Sequence, residues 1–229
     1  MRYLILFLLG CFLPHMAHSQ IYEIGGYAGG TNFIGDIGST AYIAPKAPAL
    51  GIIGKWNRST RHSWRISLIY SDLKAYDYES NDPRRQERNY KFDSNLLEIS
   101  AGMEYNFWDF DLHKSGIKVS PYIYSGISVA NHSNFYFNAS GSYTPEGTSS
   151  WAYGIPMVLG IKSNILNNFI LGFEIGARYT FSDEIDGSVP DSRDLDQFSF
   201  GNTNSNDWYV FTGFTLTYTF GQRPCYCNY

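Results

Sequence analysis

Charge is scarce in this chain. Asp, Glu, Lys and Arg make up only 17% of its 229 residues, against about 25% in a typical soluble domain. Long apolar runs are also missing. Past the N-terminus nothing approaches the roughly 20 apolar residues of a membrane-crossing helix, and mean hydropathy is -0.25, so a helical membrane protein is excluded. There is no basic block and the net charge is -4, which removes the electrostatic footprint of a nucleic-acid binder. Cysteine is rare: of three, Cys11 lies in the leader and Cys225 and Cys227 in the tail, where they cannot staple a domain of this length. What is abundant is glycine (22), tyrosine (19), phenylalanine (16) and tryptophan (5). Such an aromatic content is incompatible with disorder and points to ordered strands.

Residues 1–20 read as a cleaved secretory signal peptide. Arg2 forms the basic start, Tyr3 to Leu13 the apolar stretch, and Ala17-His18-Ser19 a small-residue cleavage site before Gln20. Leu8-Leu9-Gly10-Cys11 imitates a lipoprotein box, but only ten residues precede Cys11 and the later site is the better formed. An exported chain is expected, with residues 21–221 as one β-domain and 222–229 as a tail.

Period-two alternation, the signature of strands, recurs along the whole of 21–221. It is clearest near the end, where Phe214, Leu216, Tyr218 and Phe220 alternate with Gly213, Thr215, Thr217 and Thr219. Eight such stretches can be traced, several as long as the roughly ten residues that a tilted bilayer-crossing strand needs. One face of these strands carries Glu23, Lys55, Arg65, Glu98, Glu104, Lys118, Lys162, Glu174 and Arg178; the other is apolar and uncharged at the strand centres. Connectors alternate in length: short at 57–62 and 163–168, moderate at 108–116, long at 34–47, 78–93, 132–152 and 182–207. Trp56, Trp64 and Trp108 fall at the short-turn ends, and Trp151 and Trp208 at the long-loop ends, as two interfacial girdles require. These features predict an all-β fold: an eight-stranded antiparallel transmembrane outer-membrane β-barrel with short periplasmic turns, long extracellular loops and both mature termini periplasmic. A barrel of this size is filled by its own side chains, so the inward charges are expected to pair across the lumen rather than line a pore.

Little catalytic chemistry is legible. The mature histidines, His62, His113 and His132, sit on separate turns or loops with no metal-helix spacing and no cysteine beside them. His132 and Ser133 are adjacent, so on a strand they point apart, and they read as a polar pair at a loop edge. The acids of 182–207 do not follow an EF-hand pattern and read as solvated, as does the charge run Asp82 to Arg88. Gly25-Gly26 and Gly29-Gly30 lack the Lys-Ser/Thr of a phosphate loop and suggest close backbone approach instead. No catalytic residue, metal, cofactor, nucleic acid or small-molecule substrate is expected. In the tail, Cys225 and Cys227 stand too close for an unstrained mutual bridge. A cross-link to a periplasmic partner, a strained local bridge and free thiols all remain open.

Three segments together resemble the PorG family, an outer-membrane component of the Bacteroidota type IX secretion system. They are Tyr22 to Asp36 with its Gly-Gly pairs and Gly35-Asp36, Glu174-Ile175-Gly176-Ala177-Arg178 running into the acidic loop at Thr180 to Gly187, and the closing Asn206-Asp207-Trp208 and Tyr218-Thr219-Phe220-Gly221. The similarity extends over essentially all of the mature chain. One departure is Glu184, where the family pattern carries an aromatic after the first aspartate. The resemblance implies a non-enzymatic protein in the outer-membrane lipid that ties a periplasmic ring, built from the lipoprotein PorK and its partner PorN, to the membrane, supporting secretion and, in gliding species, motility. Two other classes remain: a surface-exposed adhesin or resistance-type barrel, and an outer-membrane lipid-modifying enzyme.

Overall fold

A computed structural model describes residues 21–112, 116–166, 168–202 and 205–221; the signal segment 1–20, His113 and the tail with Cys225 and Cys227 lie outside the described residues. Eight strands run β1 Ile21–Ile34, β2 Ala47–Asn57, β3 His62–Tyr76, β4 Lys91–Asn106, β5 Val119–Phe137, β6 Tyr143–Leu166, β7 Phe169–Thr180 and β8 Trp208–Phe220. Each pairs antiparallel with its sequence neighbours, and β1 pairs with β8 from Tyr22↔Phe220 to Ile34↔Trp208, closing the ring. Closure leaves no sheet edge around the ring, which is what lets strands cross a bilayer.

Residue parity decides which side faces what. Around the wall Ile24 is 59% and Ile127 69% exposed, whereas inward-pointing Arg65 is 2% and Glu104 0%. Apolar side chains face outward and charges inward, the inverse of a soluble barrel and the arrangement that hydrocarbon demands. The glycine pairs of β1 serve closeness: a Cβ on Gly25 would overlap the Leu216 carbonyl, and one on Gly29 the Thr212 carbonyl. Neither position can accept a side chain without parting β1 from β8.

Three segments depart from expectation. Residues 132–152 are not a long loop: β5 continues to Phe137 and β6 begins at Tyr143. Alternation does not reveal the extension because its buried residues mix polar His132 and Asn134 with Phe135 and Phe137, and a register shift between Ser133 and Phe135 breaks the period; Asn134 Nδ2 donates across the hairpin to Thr148 Oγ1 (3.0 Å) and Ser150 Oγ (2.8 Å). His132 and Ser133 therefore sit within a strand rather than at a loop edge. Lys118 precedes β5, half-buried, with its ammonium 3.4 Å from the Gly116 carbonyl rather than in the lumen. Finally, 82–89 holds a short helix, α1 (Pro83–Arg88), opened by an Asp82 side chain accepting from the Arg84 N–H with proline at the first turn, and closed by left-handed Asn89 at φ 55°.

The interior has two storeys. Ion pairs fill the half nearer the short turns. Toward the long-loop end the inward face turns apolar, and Phe33, Ile37, Leu73, Phe92, Phe135, Phe137, Ile185 and Phe211 form a buried cluster with Tyr90 and Phe200 packed on it. Not all the surplus aromatics are wall: a share of them plugs the mouth.

Candidate functional site

The lower storey is organised around two glutamates. Glu104, on β4, receives Lys162 Nζ at 2.6 Å and Lys55 Nζ at 2.7 Å, with Arg65 Nη1 at 3.8 Å. Arg65 forks onto Glu174 of β7, Nη1 and Nη2 donating to the two carboxylate oxygens at 2.7 and 2.8 Å, and Tyr122 O–H donates to the same carboxylate at 2.6 Å. Above it Arg178 donates from Nε and Nη2 to Glu98, which also accepts from Tyr209 O–H at 2.7 Å. Glu23 is held by Asn57 Nδ2 and Thr217 Oγ1, both at 2.8 Å. Aromatic faces complete the lining, with the Arg65 guanidinium 4.7 Å from the Tyr124 ring centre and that of Arg178 4.6 Å from Phe211. Bidentate and charge-assisted bonds of this kind are the strong ones. Each of these carboxylates is met by cations or by hydroxyl and amide donors from other strands, an arrangement that suits packing and cross-barrel bracing. Of the charges predicted to share this space, all but Lys118 are buried inside the barrel.

The upper storey is laced by loop groups, several of them from the stretches 82–88 and 182–207 that read in the sequence as solvated. Asp36, in the loop after β1, gives its N–H to Asp186 Oδ2 (2.8 Å) and takes the Asn202 N–H on its own carboxylate (2.8 Å). Asp77, buried after β3, accepts from the N–H groups of Gly38 and Tyr90 and from Arg88 Nε at 2.8 Å. Arg88 also donates to the Asp36 carbonyl, and Arg85 to that of Gly38. Asp207 accepts from the Ile185 N–H at 3.0 Å, and Asp186 from that of Ser188 at 2.9 Å. Thus Asp186 and Asp207 are not solvated loop acids, nor are Arg85 and Arg88 part of a free charge run. Tyr90 stacks on Phe137 at 4.3 Å and meets Phe200 edge-on at 5.3 Å, under the Arg88 guanidinium.

Burial crowds these acids. It pushes the Asp183 carboxyl up to about 7, with Asp186, Asp36 and Glu184 adding repulsion. Burial likewise raises Asp207, with Asp186 and Asp183 next in effect, and raises Asp186 against the pull of its Ser188 hydrogen bonds. Among the described residues, no group of three or more His, Cys, Asp or Glu side chains has a geometry that could hold a metal ion.

The tryptophans divide between the two ends. Trp56 lies opposite Trp64 on β2 and β3 beside a short turn, and Trp108 follows the end of β4. Trp208 packs on Tyr179 at 4.9 Å where β8 begins, and Trp151 faces outward from β6 opposite Asn131. His62 packs edge-on against Tyr105 at the short-turn end, while His132 is enclosed within the barrel near the other. Sequence reasoning misses Asp36, Asp77, Arg88, Asp186 and Asp207 as a set. Its one available signal is Asp82-Pro83, a capping residue before a first-turn proline that announces α1.

The family described as "Domain of unknown function (DUF6089)" matches residues 2–229. No curated protein matches the sequence. Among solved structures, a major outer membrane protein from Thermus thermophilus is similar at 14% identity and TM-score 0.47, over 89% of this chain and 100% of that one. Neisserial surface protein A is similar at 15% identity and TM-score 0.43, over 88% and 95%. The N-terminal β-barrel domain of Pseudomonas aeruginosa OprF is similar at 13% and 0.44, over 89% and 98%.

Proposed function

The chain belongs to the DUF6089 family, and we propose that it is a non-enzymatic, partner-binding outer-membrane barrel of the type IX secretion system, tying the periplasmic PorK–PorN ring to the membrane. The observation that carries this reading is that the three segments behind the PorG resemblance meet in one built structure. Asp36 of the first bonds Asp186 of the second, and Asp207 of the third accepts from Ile185 of the second. A lumen packed with ion pairs below and aromatics above favours work through surfaces rather than through a pore. The separation of His62 from His132, at opposite ends of the barrel, favours a protein without a catalytic dyad. The start of β1 and the end of β8 share the short-turn side, the periplasmic side in barrels of this type, which supports a tether through Cys225 and Cys227. The test is deletion of the gene in its native host, with folded cargo assayed in the medium. Loss of cargo export together with loss of ring material from outer-membrane fractions is the expected result, and intact export overturns the reading.

One observation favours a surface-binding barrel instead. Tyr42, Ile43 and Tyr78 stand exposed on the long-loop side, Tyr42 at 76%. That reading gains if the deletion strain secretes normally but loses attachment to surfaces.

A further inference from the structure

The outer wall is not uniformly convex. The register lines up Ile24, Gly54, Ile66, Ala101 and Ile127 as one outward row across β1 to β5. Glycine and alanine recess the wall between the isoleucines, opening a groove of about 550 Å³, within the range of small-molecule sites. Toward the short turns it is bounded by Tyr22, Trp56, Trp64 and Phe220, aromatics at the level where an apolar wall gives way to headgroups. At that same end Arg58 is exposed over the Trp56 ring, 5.7 Å from its centre. Neighbouring Arg61 is taken by Asp109 at 2.7 Å, whereas no carboxylate among the described residues pairs with Arg58.

We propose that this groove is a binding site for one phospholipid of the periplasmic leaflet, its acyl chain along Gly54 and Ala101 and its phosphate on Arg58. An apolar channel ending in an unpaired cation at headgroup depth matches the two ends of such a molecule. Close packing of the chain in the recess gives hold, and the guanidinium recognises phosphate oxygens. Bulk lipid covers the rest of the wall without selection; a recess with a terminal charge selects. The inference rests on the membrane setting of the barrel and not on its secretion role.

Gly54→Leu fills the recess without disturbing the wall, because a Cβ there meets only Ile66 Cγ2 at 3.4 Å. Ala101→Leu is the second filling variant, and Ala28→Leu, outward on β1 away from the groove, is the control. Each protein is purified from native membranes in mild detergent, its fold checked by the heat-dependent gel shift of a closed barrel, and its lipid counted by native mass spectrometry. Wild type and A28L are expected to retain about one phospholipid per barrel, and G54L and A101L roughly ten-fold less. Delipidated wild type titrated with phosphatidylglycerol should bind at least ten-fold more tightly than with the matching diacylglycerol, and Arg58→Gln should lose most of that preference. Equal lipid in the filled and wild-type proteins, no retained lipid at all, or a retained acyl chain attached to a peptide would each overturn the proposal. Normal cargo export by G54L cells leaves the site in place and separates it from the secretion reading.

Discussion

Residue by residue, the interior is governed by the cost of burying charge and the need for every buried charge to have a partner. Arg178 shows this directly: it donates to Glu98 through Nε and Nη2 and to the Gly176 carbonyl through Nη1. Removing one partner of such a pair leaves the other uncompensated and costs about 3–5 kcal/mol, whereas replacing both with apolar groups is often neutral. Arg178→Met is therefore expected to lower the unfolding free energy of the protein refolded in detergent, read from urea titration, by an amount of that order. The double variant with Glu98→Leu should recover most of the loss; a double variant as unstable as the single contradicts the account. Lys118 teaches the complementary lesson. It shares the parity of the lumen residues, but it precedes the first residue of β5, and parity has meaning only inside a strand.

Between elements, the long loops form a cap. The loops after β1, β3 and β7 bond one another through Asp36, Asp77, Arg88 and Asp186, and press Ile37 and Ile185 against the aromatics of β4 and β5. Helix α1 presents Arg88 to this junction, so its cap matters out of proportion to its length. Asp82→Ala removes the side-chain acceptor for the Arg84 N–H and is expected to cost about 0.5–2 kcal/mol, read as faster amide exchange across 77–90 with the barrel strands unchanged. The acids give the cap a pH dependence of known sign. Asp183 keeps its proton to about pH 7 in the folded cap, against 3.8 ordinarily. From about pH 4 to 7 the folded state thus holds a proton that the unfolded chain has lost, and stability falls as pH rises through this window. Asp186 and Asp207, both raised, act in the same direction. Exchange protection of 182–207, corrected for intrinsic rates, should be greater at pH 5 than at pH 8, and Asp183→Asn should flatten the difference. Protection that increases with pH would contradict the assignment.

Across the molecule, the closed ring holds a charged lower storey and an aromatic upper one, so that side chains fill its interior among the described residues. Purified protein in planar bilayers is expected to show no sustained single-channel steps at neutral pH; stable ohmic conductance would mean that the cap or the ion-pair layer opens. The two rims and the wall carry the exposed features, among them the Trp56–Arg58 corner and Tyr42 and Tyr78.

How much of this is legible in the sequence follows from the range of each interaction. Side-chain direction along a strand reverses at every residue, so alternation near Glu23, Arg65 or Phe214 is enough to assign wall and lumen, and the strand count follows. Alternation fails at 132–152, where polar residues such as Asn134 and Ser150 bond one another and a register shift between Ser133 and Phe135 interrupts the period, so that the stretch imitates a loop. The pairing of charges is foreseeable only as a balance. That Arg65 takes Glu174 while Lys55 and Lys162 share Glu104 depends on which strands the ring sets face to face. The cap is beyond reach, because its bonds join residues as far apart as Asp36 and Asp186, 150 positions along the chain, with no local period to announce them. Which side of each strand meets lipid is written in neighbouring residues, and the chain needs nothing more to specify it. Closure of the barrel chose the partners of its charges, the plug at its mouth and the recess in its wall, since those are properties of distance in space.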